Sequence, residues 1–210
     1  MPISRQIANT ALLSLKNNLN LESTITNMRI ISGKYKGRTI KTIATESLRP
    51  TMSVAREAIF NILSHGSFEN FLNDCKVLDL FCGCATLAVE SLSRGAALAV
   101  CIDIKNEHLN IARENIAITE EKNNCHFVKA DATNLPQAMI KCNLVFIDAP
   151  YKQNLSVPAL IDANKKGWLA ENAIIIMETS AREDIKLPEG FTAIDTRKYS
   201  NSRIHIVRKD

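Results

Sequence analysis

Apolar residues along this chain fall into short unbroken runs, separated by longer stretches in which they recur every three or four positions. Val77-Leu78-Asp79-Leu80-Phe81, Ala97 to Ile102, Cys125 to Val128, Val145-Phe146-Ile147 and Ala173 to Met177 have the length of strands and lack the alternation of a half-exposed one. Such runs suit strands covered on both faces. Between them, Thr86 to Arg94, a stretch marked by Leu109, Ala112 and Ile116, and a stretch from about Leu155 to Lys166 carry the spacing of amphipathic helices. Strands and helices in turn imply a parallel sheet with right-handed crossovers. Phe191 to Lys198 and Ser202 to Arg208 alternate instead and flank the tight link Tyr199-Ser200-Asn201, which predicts a closing antiparallel hairpin. The body of the chain, residues 71–210, therefore reads as one α/β domain built on a seven-stranded, mostly parallel sheet.

Ahead of it, Arg29 to Ser32 and Arg38 to Ile43 flank Gly33-Lys34-Tyr35-Lys36-Gly37, a link with glycine at both ends that predicts a hairpin. Leu48-Arg49-Pro50-Thr51 stops the extended chain, and Val54, Ala55, Ala58, Ile59, Ile62 and Leu63 predict a helix ending near His65-Gly66. Residues 28–70 are thus expected to form a small hairpin-and-helix module. Residues 1–27 are polar, with Ile3, Ile7, Ala11, Leu15 and Leu19 at helical spacing and Glu22 as the only acid. That acid-poor start is similar to an organellar transit peptide, but Arg5 and Lys16 are too few bases for one. A flexible extension is the expectation, with Met28 as an alternative start.

Composition narrows the class. A chain of 210 residues with 46% hydrophobic content can bury one substantial core, and a net charge of +4 permits an anionic partner without demanding one. Six cysteines, Cys75, Cys82, Cys84, Cys101, Cys125 and Cys142, show no C-x-x-C pair and no histidine at zinc spacing. They read as small buried thiols in a reducing compartment, so no metal is expected. No apolar run approaches the roughly 20 residues of a membrane span, and a cytoplasmic monomer is expected.

Charge is distributed unevenly. Arg29, Lys34, Lys36, Arg38 and Lys41 place five positive charges on the predicted hairpin with no acid among them and Tyr35 at its tip. That cationic edge suits nucleic-acid phosphates and a base; a solvated strand edge protected by lysines is the alternative. Arg49, just before the helix, is placed to meet a phosphate or to form a structural salt bridge.

Candidate chemistry gathers where the strands end, since open α/β sheets bind ligands just beyond the strand carboxyl ends. After Phe81 the chain makes a small-residue turn, Cys82-Gly83-Cys84-Ala85, into a helix, which lets backbone amides approach a ligand closely. Asp103 follows roughly 20 residues later, where an acid accepts hydrogen bonds from the ribose hydroxyls of an adenosine-containing cofactor. Asp131 follows the third strand. The fourth ends on Asp148-Ala149-Pro150-Tyr151, in which a carboxylate and exposed carbonyls can accept from an exocyclic amine while an aromatic ring stacks on its base. An ordinary strand exit is the alternative, because Asp and Pro are common turn residues.

In order and spacing, Asp79-x-Phe81-x-Gly83, Asp103, Asp131 and Asp148-Ala149-Pro150-Tyr151 resemble the class I methyltransferases that use S-adenosylmethionine. The turn lacks the full G-x-G-x-x-G of a dinucleotide fold. More narrowly, Arg29 to Arg38, Leu48-Arg49-Pro50-Thr51 with Arg56-Glu57 and Phe60-Asn61, and Val77 to Phe81 with Ser93-Arg94-Gly95-Ala96 resemble the RsmD family of bacterial 16S ribosomal RNA guanine-N2 methyltransferases. The resemblance spans Met28 to Asp210. It departs at Ala85, where the family has a second glycine, and at Ala149-Pro150, where it has two prolines.

The resemblance implies a Rossmann-like fold, S-adenosylmethionine as cofactor, and 16S ribosomal RNA or an assembling small subunit as partner. Asp79, Phe81, Gly83, Asp103, Ile104, Asp131, Ala132 and Thr51 would bind the cofactor, Asp148, Ala149, Pro150 and Tyr151 would hold the target base, and the basic hairpin with Arg49 would bind RNA. Two alternatives remain open: a DNA adenine-N6 or cytosine-N4 methyltransferase, and a catalytically silent RNA-binding assembly factor. A nicotinamide oxidoreductase fits less well.

Overall fold

The computed structural model describes residues 25–43, 50–150, 153–199 and 201–210, with side chains undescribed at 50–54. The expected extension at 1–27 therefore falls almost entirely outside the described residues. Seven strands form one sheet: β3 (Lys76–Leu80), β4 (Leu98–Asp103), β5 (Cys125–Lys129), β6 (Cys142–Asp148), β7 (Leu169–Ser180), β8 (Phe191–Tyr199) and β9 (Ser202–Lys209), in the spatial order β5-β4-β3-β6-β7-β9-β8. β3 to β7 are mutually parallel, and the β8–β9 hairpin adds on antiparallel to β7. The strand order reverses at β3 and β6, whose carboxyl ends border the crevice where such sheets take their ligands.

Helices α1 (Pro50–Ile62), α2 (Thr86–Ser93) and α3 (Asn106–Ile118) contribute to one apolar layer, and α4 (Ser156–Lys165) to the other. Each strand feeds both layers by alternation. Val77, Ala99, Leu144, Phe146, Ile174 and Ile176 face the first, and Leu78, Val100, Val145, Ile147, Ile175 and Met177 the second. This double burial explains why the central runs are apolar throughout. β7 is longer than its apolar run: Leu169 pairs with Cys142, the register then breaks around Asn172, which is left-handed at φ 56°, and the regular ladder resumes at Ile174.

A hairpin is present as β1 (Ile25–Arg29) and β2 (Thr39–Ile43), a separate two-stranded sheet, but its first strand precedes the expected Arg29 to Ser32 and begins within the stretch expected to be an extension, while residues 30–32 belong to the link. Its link is pinned to the body. Glu90 of α2 accepts the Ile31 and Ser32 amides at 2.8 and 3.0 Å. The Ser93 hydroxyl accepts the Tyr35 amide and donates to the Ser32 carbonyl, while the Ser93 carbonyl accepts the Lys34 amide. Gly33 permits this contact, since a Cβ there would lie 1.8 Å from the Ser93 carbonyl oxygen. Arg56 of α1 donates to the Arg29 carbonyl. All six cysteines are buried and unbridged. Among the described residues no helix is long and apolar enough to cross a membrane.

Candidate functional site

The turn between β3 and α2 is shaped by three residues in left-handed conformation, Phe81 at φ 62°, Gly83 at 52° and Ala85 at 59°. Ala85 stands at the N-terminus of α2 and has no side-chain acceptor with which to cap it. Asp79 takes that part from below, its carboxylate accepting the Ala88 amide at 3.3 Å. Asp79 is only 2% exposed and does not line the cleft. Burial pushes its carboxyl up to about 8, with the charges of Asp148 and Asp103 adding to the rise and the Ala88 amide opposing it. At neutral pH it is largely protonated.

Asp103, at the end of β4, sits in a different environment. Burial alone would raise its pKa, but the His108 hydrogen bond and the Lys105 and Gly83 amides reverse this and leave it below the usual range. The Gly83 amide donates to Oδ2 at 2.9 Å and the Lys105 amide to Oδ1 at 2.8 Å, while His108 Nδ1 lies 3.1 Å from Oδ2. Of roughly four acceptor positions on a carboxylate, these use three, two of them taken by backbone amides and one by a side chain. Ile104, next along, is 60% exposed, an open apolar surface at the mouth of the cleft. Asp131 turns back on its own loop, its Oδ1 accepting the Thr133 amide and hydroxyl, each at 2.8 Å, while its second oxygen has no hydrogen-bond partner among the described residues.

Phe81, Gly83, Asp103, Ile104, Asp131 and Ala132 line a single cleft of about 780 Å³, whose opposite wall is Asp148, Ala149 and Pro150. The volume lies within the range of small-molecule and cofactor sites. Asp148 is half-buried, and burial followed by the charge of Glu178 raises its pKa above the ordinary aspartate value. Tyr151 and Arg49 lie outside the described residues, as does the side chain of Thr51, whose backbone belongs to the first turn of α1.

Lys105, His108 and Glu178 also line the cleft, and the sequence pattern had not singled them out. A signal for Glu178 was present: the apolar run Ala173 to Met177 stops on an acid, as the β6 run stops on Asp148. His108 follows Asp103 by five positions, across the start of α3, a spacing with no general meaning until the loop geometry is known.

The cationic hairpin departs from expectation. Tyr35 is not an exposed tip but is 2% exposed, its hydroxyl donating to Glu121 at 2.6 Å. Lys34 pairs with Glu121, Arg38 with Glu120 and the Ile118 carbonyl, and Lys41 with Glu114. Five bases without an acid in the local sequence acquire three acids from α3 and the segment after it. Lys34 and Arg38 also lie over the Tyr35 ring, each 4.9 Å from its centroid. Among the described residues Arg29 and Lys36 carry no acidic partner.

Against known proteins, the model of a family described as conserved hypothetical protein 95 matches residues 28–208. An uncharacterized methylase of Rickettsia prowazekii is 31% identical across 86% of this chain and 97% of its own length. The ribosomal RNA small subunit methyltransferase D of Escherichia coli K12 is 31% identical across 75% of this chain and 77% of its own. Among solved structures, "Putative methyltransferase yhhF" from Escherichia coli superposes with a TM-score of 0.75 at 26% identity, covering 88% of this chain and 99% of that one.

Proposed function

The chain belongs to the RsmD family, the one described as conserved hypothetical protein 95, and we propose that it transfers a methyl group from S-adenosylmethionine to the exocyclic N2 amine of a guanine in small-subunit ribosomal RNA. The observation that carries this reading is the shared cleft. The end of β4 supplies an ionised acid and the end of β6 supplies Asp148 and Ala149, on facing walls of one space.

The residues present fit an adenosine sulfonium cofactor. Gly83 has no neighbour within 4 Å of its missing Cβ, which leaves room for close approach to its backbone. Asp103 offers acceptors to ribose hydroxyls, Ile104 and Ala132 an apolar edge for adenine, and Asp131 an acceptor for the adenine amine. When bound, the cofactor supplies an electrophilic methyl: its S–C bond breaks as an N–C bond to the base forms, sulfur keeps the electron pair, and the nitrogen loses a proton.

The N2 lone pair of guanine is delocalised into the ring, so the chain's task is to hold the amine in line and to stabilise the charge that develops on it. Asp148 and the Ala149 carbonyl accept its two N–H groups. The carboxylate at Asp148, raised by burial, is also positioned to take the departing proton. Alanine in place of a proline at 149 leaves the needed carbonyl in place. Residues 71–210 act as the methyltransferase domain and residues 28–70 as the RNA-contacting module, with Arg29 and Lys36 as its uncompensated charges. The lysine and arginine ends of the ion pairs at Lys34, Arg38 and Lys41 face solvent, where screening keeps such pairs weak, so RNA phosphates can displace their acids. The enzyme works as a monomer in the cytoplasm.

Incubating the protein with methyl-labelled S-adenosylmethionine and small-subunit particles lacking the modification, then digesting to nucleosides, tests this directly. Label should appear in N2-methylguanosine, and Asp148→Ala should abolish it while binding S-adenosylhomocysteine as tightly as the native protein. Label in N6-methyladenosine, or full activity in the variant, overturns the assignment.

A further inference from the structure

Glu178 forms part of the cleft wall without a role in the reaction described above. It pairs in register with Asp148 on the neighbouring parallel strand. Alternation fixes the face of both: Phe146 and Ile176 belong to the layer under α1 and α2, Ile147 and Met177 to the opposite one. The next residues, Asp148 and Glu178, therefore return to the α1 and α2 side. A shallow depression is lined by both acids together with Ile59 of α1 and Leu87 of α2. Neighbouring strands run about 4.8 Å apart, so the edge of one planar base spans both acids. That the Glu178 charge helps to raise the Asp148 pKa is a second sign of their closeness.

An ionised carboxylate only accepts hydrogen bonds. The three bases that carry an exocyclic amine differ in the ring atom beside it. Guanine has a donor there, N1–H. Adenine and cytosine have lone pairs, at N1 and N3, which would face a carboxylate with no hydrogen between them.

We propose that Glu178 is a specificity-determining residue, accepting the ring N1–H of guanine while Asp148 and the Ala149 carbonyl hold the N2 amine. The proposal rests on the methyl-transfer reading above. With both acids ionised, the state that a sulfonium bound in the cleft favours, selection is by chemistry as well as by fit: guanine offers the pair only donors, whereas adenine or cytosine brings an acceptor to an acceptor. Sites built to receive an N–H reject analogues that lack it far more strongly than apolar pockets reject a missing methyl group.

2-Aminopurine separates the two features, because it keeps the 2-amine and replaces N1–H with a lone pair. The experiment compares kcat/KM for labelled methyl transfer from S-adenosylmethionine into ribosomal RNA fragments carrying guanine or 2-aminopurine at the mapped position. The native protein should favour guanine by about a hundredfold or more. In Glu178→Gln the side-chain amide can turn its NH2 toward the ring nitrogen, so activity on guanine should fall, activity on 2-aminopurine should rise, and the ratio should drop to within about tenfold. Glu178→Asp, which draws the acceptor back by one methylene, should lower the guanine rate and, by easing the approach of acceptor to lone pair, raise the 2-aminopurine rate, so that the ratio falls here too. S-adenosylhomocysteine affinity and the unfolding midpoint, measured on both variants, identify those that fold. A guanine preference unchanged in a folded variant overturns the role of Glu178. Absence of label from every RNA with the native protein overturns methyl transfer itself, and the proposal with it.

Discussion

Two residues of the β3–α2 turn share a backbone conformation but not a setting, and the comparison shows what each glycine position demands. Ala85, left-handed at φ 59°, is fully buried in the core layer under α1, α2 and α3. A left-handed conformation costs a non-glycine residue about 1–2 kcal/mol; burial of the methyl group offsets about 0.8 kcal/mol of that. Gly83, at φ 52°, has nothing around its Cβ position and faces the cleft. Gly83→Ala should therefore lower stability by about 1 kcal/mol in a denaturant titration and weaken cofactor binding at least tenfold by calorimetry. Unchanged affinity would move the cofactor away from this turn. The acids at 103, 131 and 148 were legible in the sequence as strand-end positions, and Gly83 as a turn residue. Asp79 stood out equally but reaches α2 rather than the cleft, because strand alternation points it under the turn. The sequence shows an acid in a strand; only the helix placed above it shows what that acid serves.

Elements in this fold are joined by polar side chains that no periodicity reveals. Asn115 of α3 is fully buried and makes three hydrogen bonds of 2.8 Å: its amide group donates to the Lys41 and Cys84 carbonyls, and its oxygen accepts the Lys41 amide. One side chain thus ties β2 of the hairpin to α3 and to the β3–α2 turn. Asn115→Ala would leave these buried backbone groups unsatisfied, at about 1 kcal/mol or more each. The expected outcome is a loss of about 3 kcal/mol in the denaturant midpoint analysis, with weaker S-adenosylhomocysteine binding because the turn loses its brace. A variant that lost stability but kept full affinity would confine Asn115 to holding the hairpin. The strands and helices themselves were readable, since double burial enforces apolar runs and one-sided burial enforces helical spacing. The docking of the hairpin was not. Its cations look unopposed along the chain because Glu114, Glu120 and Glu121 arrive from more than 70 residues away.

Across the whole molecule, the carboxyl edge of the sheet concentrates acids on one face, Asp79, Asp103, Asp148 and Glu178, at the ends of four strands. The alternation of strands and helices announces a parallel sheet, but the order in which strands lie, and hence which acids become neighbours, is a property of the crossovers. That neighbourhood has a consequence for global stability. Asp79 holds its proton in the folded state up to about pH 8 and loses it near 4 when unfolded. Between these values the native state binds more protons than the unfolded one, so stability falls as pH rises through the window. Asp148, also raised, acts in the same direction, whereas Asp103 and Glu121, both lowered, gain their stabilising effect below it. Urea titrations from pH 5 to 8 should show native stability declining, and Asp79→Asn, which cannot ionise, should flatten much of that slope; the same slope in both proteins would mean that Asp79 is ionised in the fold. A sulfonium cation bound in the cleft favours the charged form of these acids. Cofactor binding at neutral pH should therefore release protons and offset the alkaline decline, which couples the loading of the site to the stability of the sheet edge that forms it.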